Sequence, residues 1–183
     1  ILSADHEIKD IEKFIKVVEK GIKYSQEDKL VTFGVIPESP ETGYGYIQGE
    51  KPFEKDNLVA SRIVKFTEKP DYETANKFLS NKCFTWNSGI FLFKAKNILK
   101  EIKKYSPEIL KYCKKSIINK FFDLDFQRLD KKTFIKCPNI SIDYAVMEKT
   151  SKGVVLPMDV GWSDVGDWQS MWKNSHKDKD GNS

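Results

Sequence analysis

Gly161-Trp162-Ser163-Asp164-Val165-Gly166-Asp167-Trp168 follows a β-rich run over residues 153–160. The stretch reads as a strand end that opens into a glycine-bracketed loop and then enters a short amphipathic helix. Strand ends of this kind are where α/β enzymes keep their chemistry. The two glycines let the backbone turn sharply and approach a ligand, while Asp164 supplies a carboxylate at the turn. Taken alone, such an Asp is more often a solvated turn or N-cap residue. A second isolated carboxylate, Asp5 in Leu2-Ser3-Ala4-Asp5-His6, stands near the other end of the chain, again just after an apolar segment.

Between these two points helical and strand periods alternate. Ile8, Ile11, Ile15, Val18 and Ile22 recur at steps of three and four and predict an amphipathic helix ending near Gly21. Residues 30–36 form a short apolar, β-branched run, a buried strand, and residues 37–46 are a loop rich in turn formers. Another strand is expected over 60–67, closed by Glu68-Lys69-Pro70, with Tyr72, Ala75, Phe78 and Leu79 marking the helix after it. Residues 84–95 read as a strand interrupted at Asn87-Ser88-Gly89, and 95–132 as helix broken at Pro107. One more helix is expected over 140–150, and the last strand over 153–160. The polar residues 175–183 read as an exit loop or linker. Such alternation argues for an α/β fold with a mixed or parallel sheet, and no internal repeat is visible.

At 183 residues, 39% hydrophobic and 13% aromatic, the chain suits one domain with a sizeable core and excludes disorder. A net charge of +4 suits an anionic small molecule as well as nucleic acid. The basic clusters at 100–104 and 111–115, punctuated by Tyr105 and Tyr112, read first as solvated helix faces. Cys83, Cys113 and Cys137 have neither disulfide-framework nor zinc-site spacing, which favours a reducing cytoplasm. With only His6 and His176 available, a multi-histidine metal centre is excluded. No run approaches the 18 or so apolar residues that a membrane span needs.

Four loops at strand ends carry small residues beside one polar or charged group, the chemistry that holds a polyhydroxylated, phosphorylated ligand. Gly43 and Gly45 allow main-chain groups to reach hydroxyls, Glu68 can accept from a vicinal diol, Lys69 can neutralise a phosphate, and Asn87 both donates and accepts. Each loop also has a plain structural reading: a tight turn over 42–46, an exposed turn at Glu68-Lys69-Pro70, a β-bulge at Asn87-Ser88-Gly89.

The order of these stretches resembles that of the sugar-phosphate nucleotidyltransferases, most closely the mannose-1-phosphate guanylyltransferases. The resemblance runs over nearly the whole length: Ala4-Asp5-His6, Pro40-Glu41-Thr42-Gly43-Tyr44-Gly45-Tyr46-Ile47, Phe66-Thr67-Glu68-Lys69-Pro70, Trp86-Asn87-Ser88-Gly89-Ile90-Phe91, Ser141-Ile142-Asp143-Tyr144-Ala145-Val146-Met147-Glu148-Lys149, and Gly161-Trp162-Ser163-Asp164-Val165-Gly166. It implies a Rossmann-like, three-layer α/β fold with a mixed, mostly parallel central sheet. It implies that Asp5 and Asp164 coordinate Mg²⁺, that Asp5, Asp164 and Lys69 are the catalytic set, and that Thr42, Gly43, Tyr44, Gly45, Glu68, Lys69, Asn87, Ser88 and Gly89 bind substrate. Within that set Gly45, Glu68 and Asn87 would hold the mannose and Lys69 its 1-phosphate. The implied reaction joins GTP and mannose 1-phosphate into GDP-mannose and pyrophosphate in the cytoplasm, without nucleic acid or membrane and with a homo-oligomer left open.

The glycine-rich signature that wraps the nucleoside triphosphate in that family is absent, and the chain opens at Ile1-Leu2 like the tail of a buried strand. The expectation is therefore a partial nucleotidyltransferase domain over 1–174, its sugar-binding half, inactive by itself, with 175–183 linking onward. Alternatives are a parent that chiefly works as a mannose-6-phosphate isomerase of a bifunctional enzyme, or a non-catalytic module that kept the sugar pocket.

Overall fold

Two fully buried strands make the spine of the molecule, and their sequences, Leu-Val-Thr-Phe-Gly-Val and Gly-Val-Val-Leu-Pro-Met, show why: with apolar side chains on both faces, neither has a side to offer to water. The computed structural model describes residues 1–55, 57–118, 120–166 and 168–182. Asp167 of the glycine-bracketed stretch and Ser183 of the expected linker lie outside the described residues. In chain order the elements are β1 (Glu7–Ile8), α1 (Ile11–Gln26), β2 (Leu30–Val35), β3 (Tyr46–Gly49), β4 (Ser61–Thr67), α2 (Tyr72–Leu79), β5 (Phe84–Leu92), α3 (Ala95–Tyr105), α4 (Pro107–Ile118), β6 (Phe121–Asp123), β7 (Phe126–Arg128), α5 (Lys131–Phe134), a π-helical turn (Asp143–Met147), β8 (Gly153–Met158), β9 (Trp162–Ser163) and α6 (Trp168–Asn174). None of the described helices is long and apolar enough to cross a membrane.

The main sheet is mixed, in the order β2-β5-β3-β4-β8, and closes on itself where β8 returns to β2. The expectation of a mostly parallel sheet is corrected. Among the described strands only β2 and β8 run parallel; β2–β5, β3–β4, β3–β5 and β4–β8 are antiparallel. The physical reason lies in the connections. Parallel neighbours need a crossover of a dozen or more residues, whereas β3 and β4 are joined by a helix-free loop that simply reverses the chain. Apolar side chains pack on both faces of the sheet: Val17, Phe33, Tyr46, Trp86, Leu156 and Met158 belong to one cluster, and Leu30, Ile47, Phe91, Val146 and Val155 to the other. Each fully buried side chain of this size contributes roughly 1.5–3 kcal/mol.

Helix α1 starts where Asp10 caps it by accepting from Lys13 N at 2.8 Å. Its orientation corrects the stripe read from the sequence in part: Ile8 and Val18 pack on the core, whereas the other three isoleucines do not. Ile11, Ile15 and Ile22 are 63%, 51% and 42% exposed, and the buried face is Val17, Gly21 and Ser25, flanked by Phe14, Val18 and Tyr24. Two apolar stripes compete on this helix, and the one with small residues wins because it lets the backbone approach the sheet. A Cβ on Gly21 would lie 3.0 Å from Phe33 Cζ. Gly21 is therefore a packing residue inside the helix, which runs on to Gln26.

Three other expectations change. The helical reading of 95–132 holds for α3 and α4, but Phe121, Phe122 and Phe126 favour extended backbone and form the β6–β7 hairpin, with Leu124 at φ 52° in its turn. The helix expected over 140–150 is reduced to the π-helical turn, pinned by buried Ala145, Val146 and Met147. The last strand stops at Met158; beyond it, Val160 O accepts from Lys9 N and Asp10 N, and β9 pairs with β1.

Candidate active site

Residues beside three strand ends and from within a fourth strand line adjoining clefts. Gly45 precedes β3, Glu68 and Lys69 follow β4, Asn87 to Gly89 lie within β5, and Asp164 follows β9. A cleft of about 540 Å³ is lined by Gly43, Tyr44, Gly45, Glu68, Asn87 and Asp164, and by Ser88 and Gly89 beside them. A second cleft, of about 720 Å³, carries Thr42, Lys69 and Trp86. The two share Gly43, Tyr44, Trp162 and Asp164, so they form one groove with Asp164 at the junction. Volumes of this order suit a small-molecule ligand.

The floor of the first cleft is tightly organised. Asn87 N donates to Gly45 O at 2.7 Å, which ties β5 to the loop before β3. A Cβ added to Gly45 would come within 2.8 Å of Glu68 Oε2 and 3.6 Å of Asn87 Cβ. Glycine is thus what lets the Glu68 carboxylate and the Asn87 amide face the same small volume. Asn87 Oδ1 accepts from Gly89 N at 3.2 Å, and Asn87 Nδ2 donates to Asp143 Oδ1 at 3.2 Å. Gly89 has φ 68°, and the β2–β5 register shifts between Thr32 and Gly34, so the interruption read at Asn87-Ser88-Gly89 is a β-bulge. The Ser88 hydroxyl is buried and spent inside the fold: it donates to Phe33 O at 2.6 Å and accepts from Ile90 N.

An aromatic wall separates the floor from the Asp164 end. Tyr44 sits edge-on to Trp86 and to Trp162, with centroids 5.2 and 5.4 Å apart, and Trp162 is edge-on to His6. Trp162 Nε1 donates to His6 Nδ1 at 3.2 Å. The Tyr44 hydroxyl donates to Asp164 Oδ1 at 3.1 Å, and Gly166 N donates to the same oxygen at 3.1 Å.

Two residues beside the site have left-handed backbone. Lys69 has φ 45° and Val165 φ 50°. Left-handed backbone is an outlier for a β-branched residue and costs on the order of 1–3 kcal/mol, and such residues cluster at functional sites. One flanks Glu68 and the other Asp164. Lys69 Nζ lies 3.8 Å from Glu68 Oε1, with both side chains substantially exposed, an ion pair of little energetic weight.

Asp5 lines neither cleft; it is exposed and has no hydrogen bond or ion pair among the described residues. Its backbone is nonetheless carried to the Asp164 end, because β1 pairs antiparallel with β9 in the register Glu7↔Ser163 and Ile8↔Trp162. Going back two residues from Glu7 and forward one from Ser163 leads to the same end of that pair. Both aspartates offer hard oxygen donors of the kind Mg²⁺ takes. Among the described residues no group of three or more His, Cys, Asp or Glu could hold a metal by itself.

Asp143, Tyr144 and Ser141 also line the first cleft, and the sequence reading gives them no role. The stretch from Ser141 to Lys149 enters that reading only as part of the resemblance. Burial pushes the Asp143 carboxyl above the usual carboxylate range, against the hydrogen bond from Asn87, and the nearby charge of Glu68 adds to the rise.

The model of the family described as nucleotidyl transferase matches residues 1–181. A curated mannose-1-phosphate guanylyltransferase of Salmonella montevideo is 49% identical over 185 residues, covering 100% of this chain and 39% of that protein. The chain thus spans about two fifths of the length of such relatives. Among solved structures, a protein described as mannose-6-phosphate isomerase from Helicobacter pylori is 32% identical with a TM-score of 0.74, covering 87% of this chain and 61% of that one. Another, described as mannose-1-phosphate geranyltransferase from Thermus thermophilus, is 28% identical with a TM-score of 0.76, covering 94% and 48%.

Proposed function

The chain belongs to the nucleotidyl transferase family, and from that premise we propose that it takes part in joining mannose 1-phosphate to the guanylyl group of GTP, releasing pyrophosphate. A phosphate oxygen of the sugar attacks the α-phosphorus, a P–O bond forms, and the bond to the departing pyrophosphate breaks. The incoming phosphate is already an anion, so no general base is assigned.

The observation that carries this reading is the convergence of Gly45, Glu68 and Asn87 on one cleft whose far end is Asp164. Glu68 accepts from sugar hydroxyls, the Asn87 amide donates to one, and the open main chain at Gly45 lets the ring lie close. Thr42, Gly43 and Tyr44 border the junction, where Lys69 neutralises the 1-phosphate. Alignment of this kind can supply on the order of 7–11 kcal/mol of the barrier. Asp5 and Asp164 are the residues that would hold Mg²⁺, and Tyr44 orients the second of them through its hydroxyl. When bound, the ion neutralises charge on the phosphoryl oxygens. The choice of mannose and of a guanine nucleotide rests on the names of the curated relatives. Residues 1–174 are read as the sugar-binding half.

In a polypeptide that joins these residues to a glycine-rich nucleotide-binding segment, incubation with mannose 1-phosphate, GTP and Mg²⁺ should release pyrophosphate and GDP-mannose, whereas residues 1–183 alone should bind mannose 1-phosphate without turnover. Absence of both products at any Mg²⁺ concentration would overturn the reading. The name of the Helicobacter pylori relative supports a second reading, isomerisation of mannose 6-phosphate; conversion of that substrate to fructose 6-phosphate without nucleotide would favour it.

A further inference from the structure

Asn87 presents two chemically opposite ends of nearly equal size, and which end faces a ligand decides what it can recognise. The described residues fix the choice. Asp143 offers Asn87 a carboxylate, an acceptor, at 3.2 Å; Gly89 offers a main-chain N–H, a donor, at 3.2 Å. Turning the amide over would set oxygen against carboxylate and N–H against N–H, losing both bonds.

Asp143 is itself held firmly. It opens the π-helical turn whose next residues include Ala145, Val146 and Met147, all buried in the core. Its carboxylate shares the cleft with that of Glu68, while Tyr144 and Ser141 border it. The Asn87 amide, bonded to Asp143, has its Nδ2 within 3.9 Å of the point where a Gly45 Cβ would stand, close to Glu68 Oε2.

We propose that Asp143 is a specificity-determining positioning residue: it locks the Asn87 amide with its nitrogen toward the sugar cleft and, together with Glu68, supplies a second acceptor for hydroxyls of the hexose. The cleft then offers carboxylate, amide N–H and carboxylate in sequence, a pattern for a hexose whose neighbouring hydroxyls are free. Sugar phosphates with one of those hydroxyls removed or acylated are rejected. The inference rests on the transferase reading and deepens it.

The test is steady-state kinetics of the same joined polypeptide and its variants, varying mannose 1-phosphate and GTP separately. Asp143→Ala should raise KM for the sugar phosphate about tenfold, with a smaller change in kcat and a KM for GTP within about twofold of wild type. Asp143→Asn, whose carbonyl oxygen can still accept from Asn87, should recover most of that loss. A sugar KM within about twofold of wild type in Asp143→Ala, or an equal rise for both substrates, would overturn the proposal. If the wild type binds mannose 1-phosphate by calorimetry without turnover, the transferase reading fails alone and the same comparison of variants is made on Kd. If the wild type binds no sugar phosphate, both fail.

Discussion

The hydroxyl of Tyr44 donates to the carboxylate of Asp164 across 3.1 Å, joining two loops 120 positions apart in the chain. Gly166 N donates to the same oxygen, Oδ1. Both donors engage one carboxylate oxygen, so the acid is oriented while Oδ2 takes no part in these two bonds. Asp164→Asn keeps the shape and removes the charge. Turnover with Mg²⁺ should fall at least about a hundredfold, while the melting temperature moves by no more than about 2 °C. Near-normal turnover would remove Asp164 from the metal role.

Gly45 is a second point of close approach. In Gly45→Ala the new methyl meets the end of the Glu68 side chain, which can swing away at little structural cost. Stability should change by less than about 1 kcal/mol, while KM for the sugar phosphate rises several-fold. Measuring both quantities separates a site residue from a folding residue.

Gly34 is the opposite case. A Cβ there would lie 2.2 Å from Thr85 Oγ1 and 2.6 Å from Val155 Cγ2, both inside the sheet. Gly34→Ala should destabilise by about 1–3 kcal/mol or more through overpacking, read from denaturant unfolding.

The face of α1 can be checked directly. Val17 is fully buried and Ile15 is 51% exposed. Val17→Ala should cost roughly 1–3 kcal/mol, and Ile15→Ser no more than about 0.5 kcal/mol. The reverse order would restore the stripe that the sequence suggested.

Asp28 governs an acid-dependent contact. Hydrogen bonds from Asn97 and Lys94, and the Lys94 charge, lower its pKa to about 2. The folded value lies below the unfolded one, so the contribution is present above the ordinary carboxylate pKa and is lost as pH falls toward about 2. Asn can keep the φ of 62° at this position. Asp28→Asn should therefore melt below the wild type at pH 7, with the gap closing between about pH 4 and pH 2; a gap independent of pH would exclude the charge as its cause.

Much of this was legible in the residues alone. Runs such as residues 30–35 and 153–158 are apolar on both faces and have no alternative to a buried strand. Gly43, Gly45, Glu68, Asn87 and Asp164 stand out because small residues beside a lone polar group at strand ends are a local signal. Asp143 escaped this reading because its significance lies in touching Asn87, 56 positions away, and no local pattern records that contact. The sequence by itself determined which residue types were available and roughly where the long apolar strands and the glycine-bearing loops lie, since hydrophobic period and glycine content are local properties; the short strands β3, β6, β7 and β9 were not legible in it. Only the tertiary structure decided that β2 and β8 run parallel among antiparallel neighbours, which stripe of α1 turns inward, and which carboxylates share a cleft. Those outcomes depend on how closely two backbones can approach, and that is settled by pairs of residues far apart along the chain, as Gly21 against Phe33 illustrates.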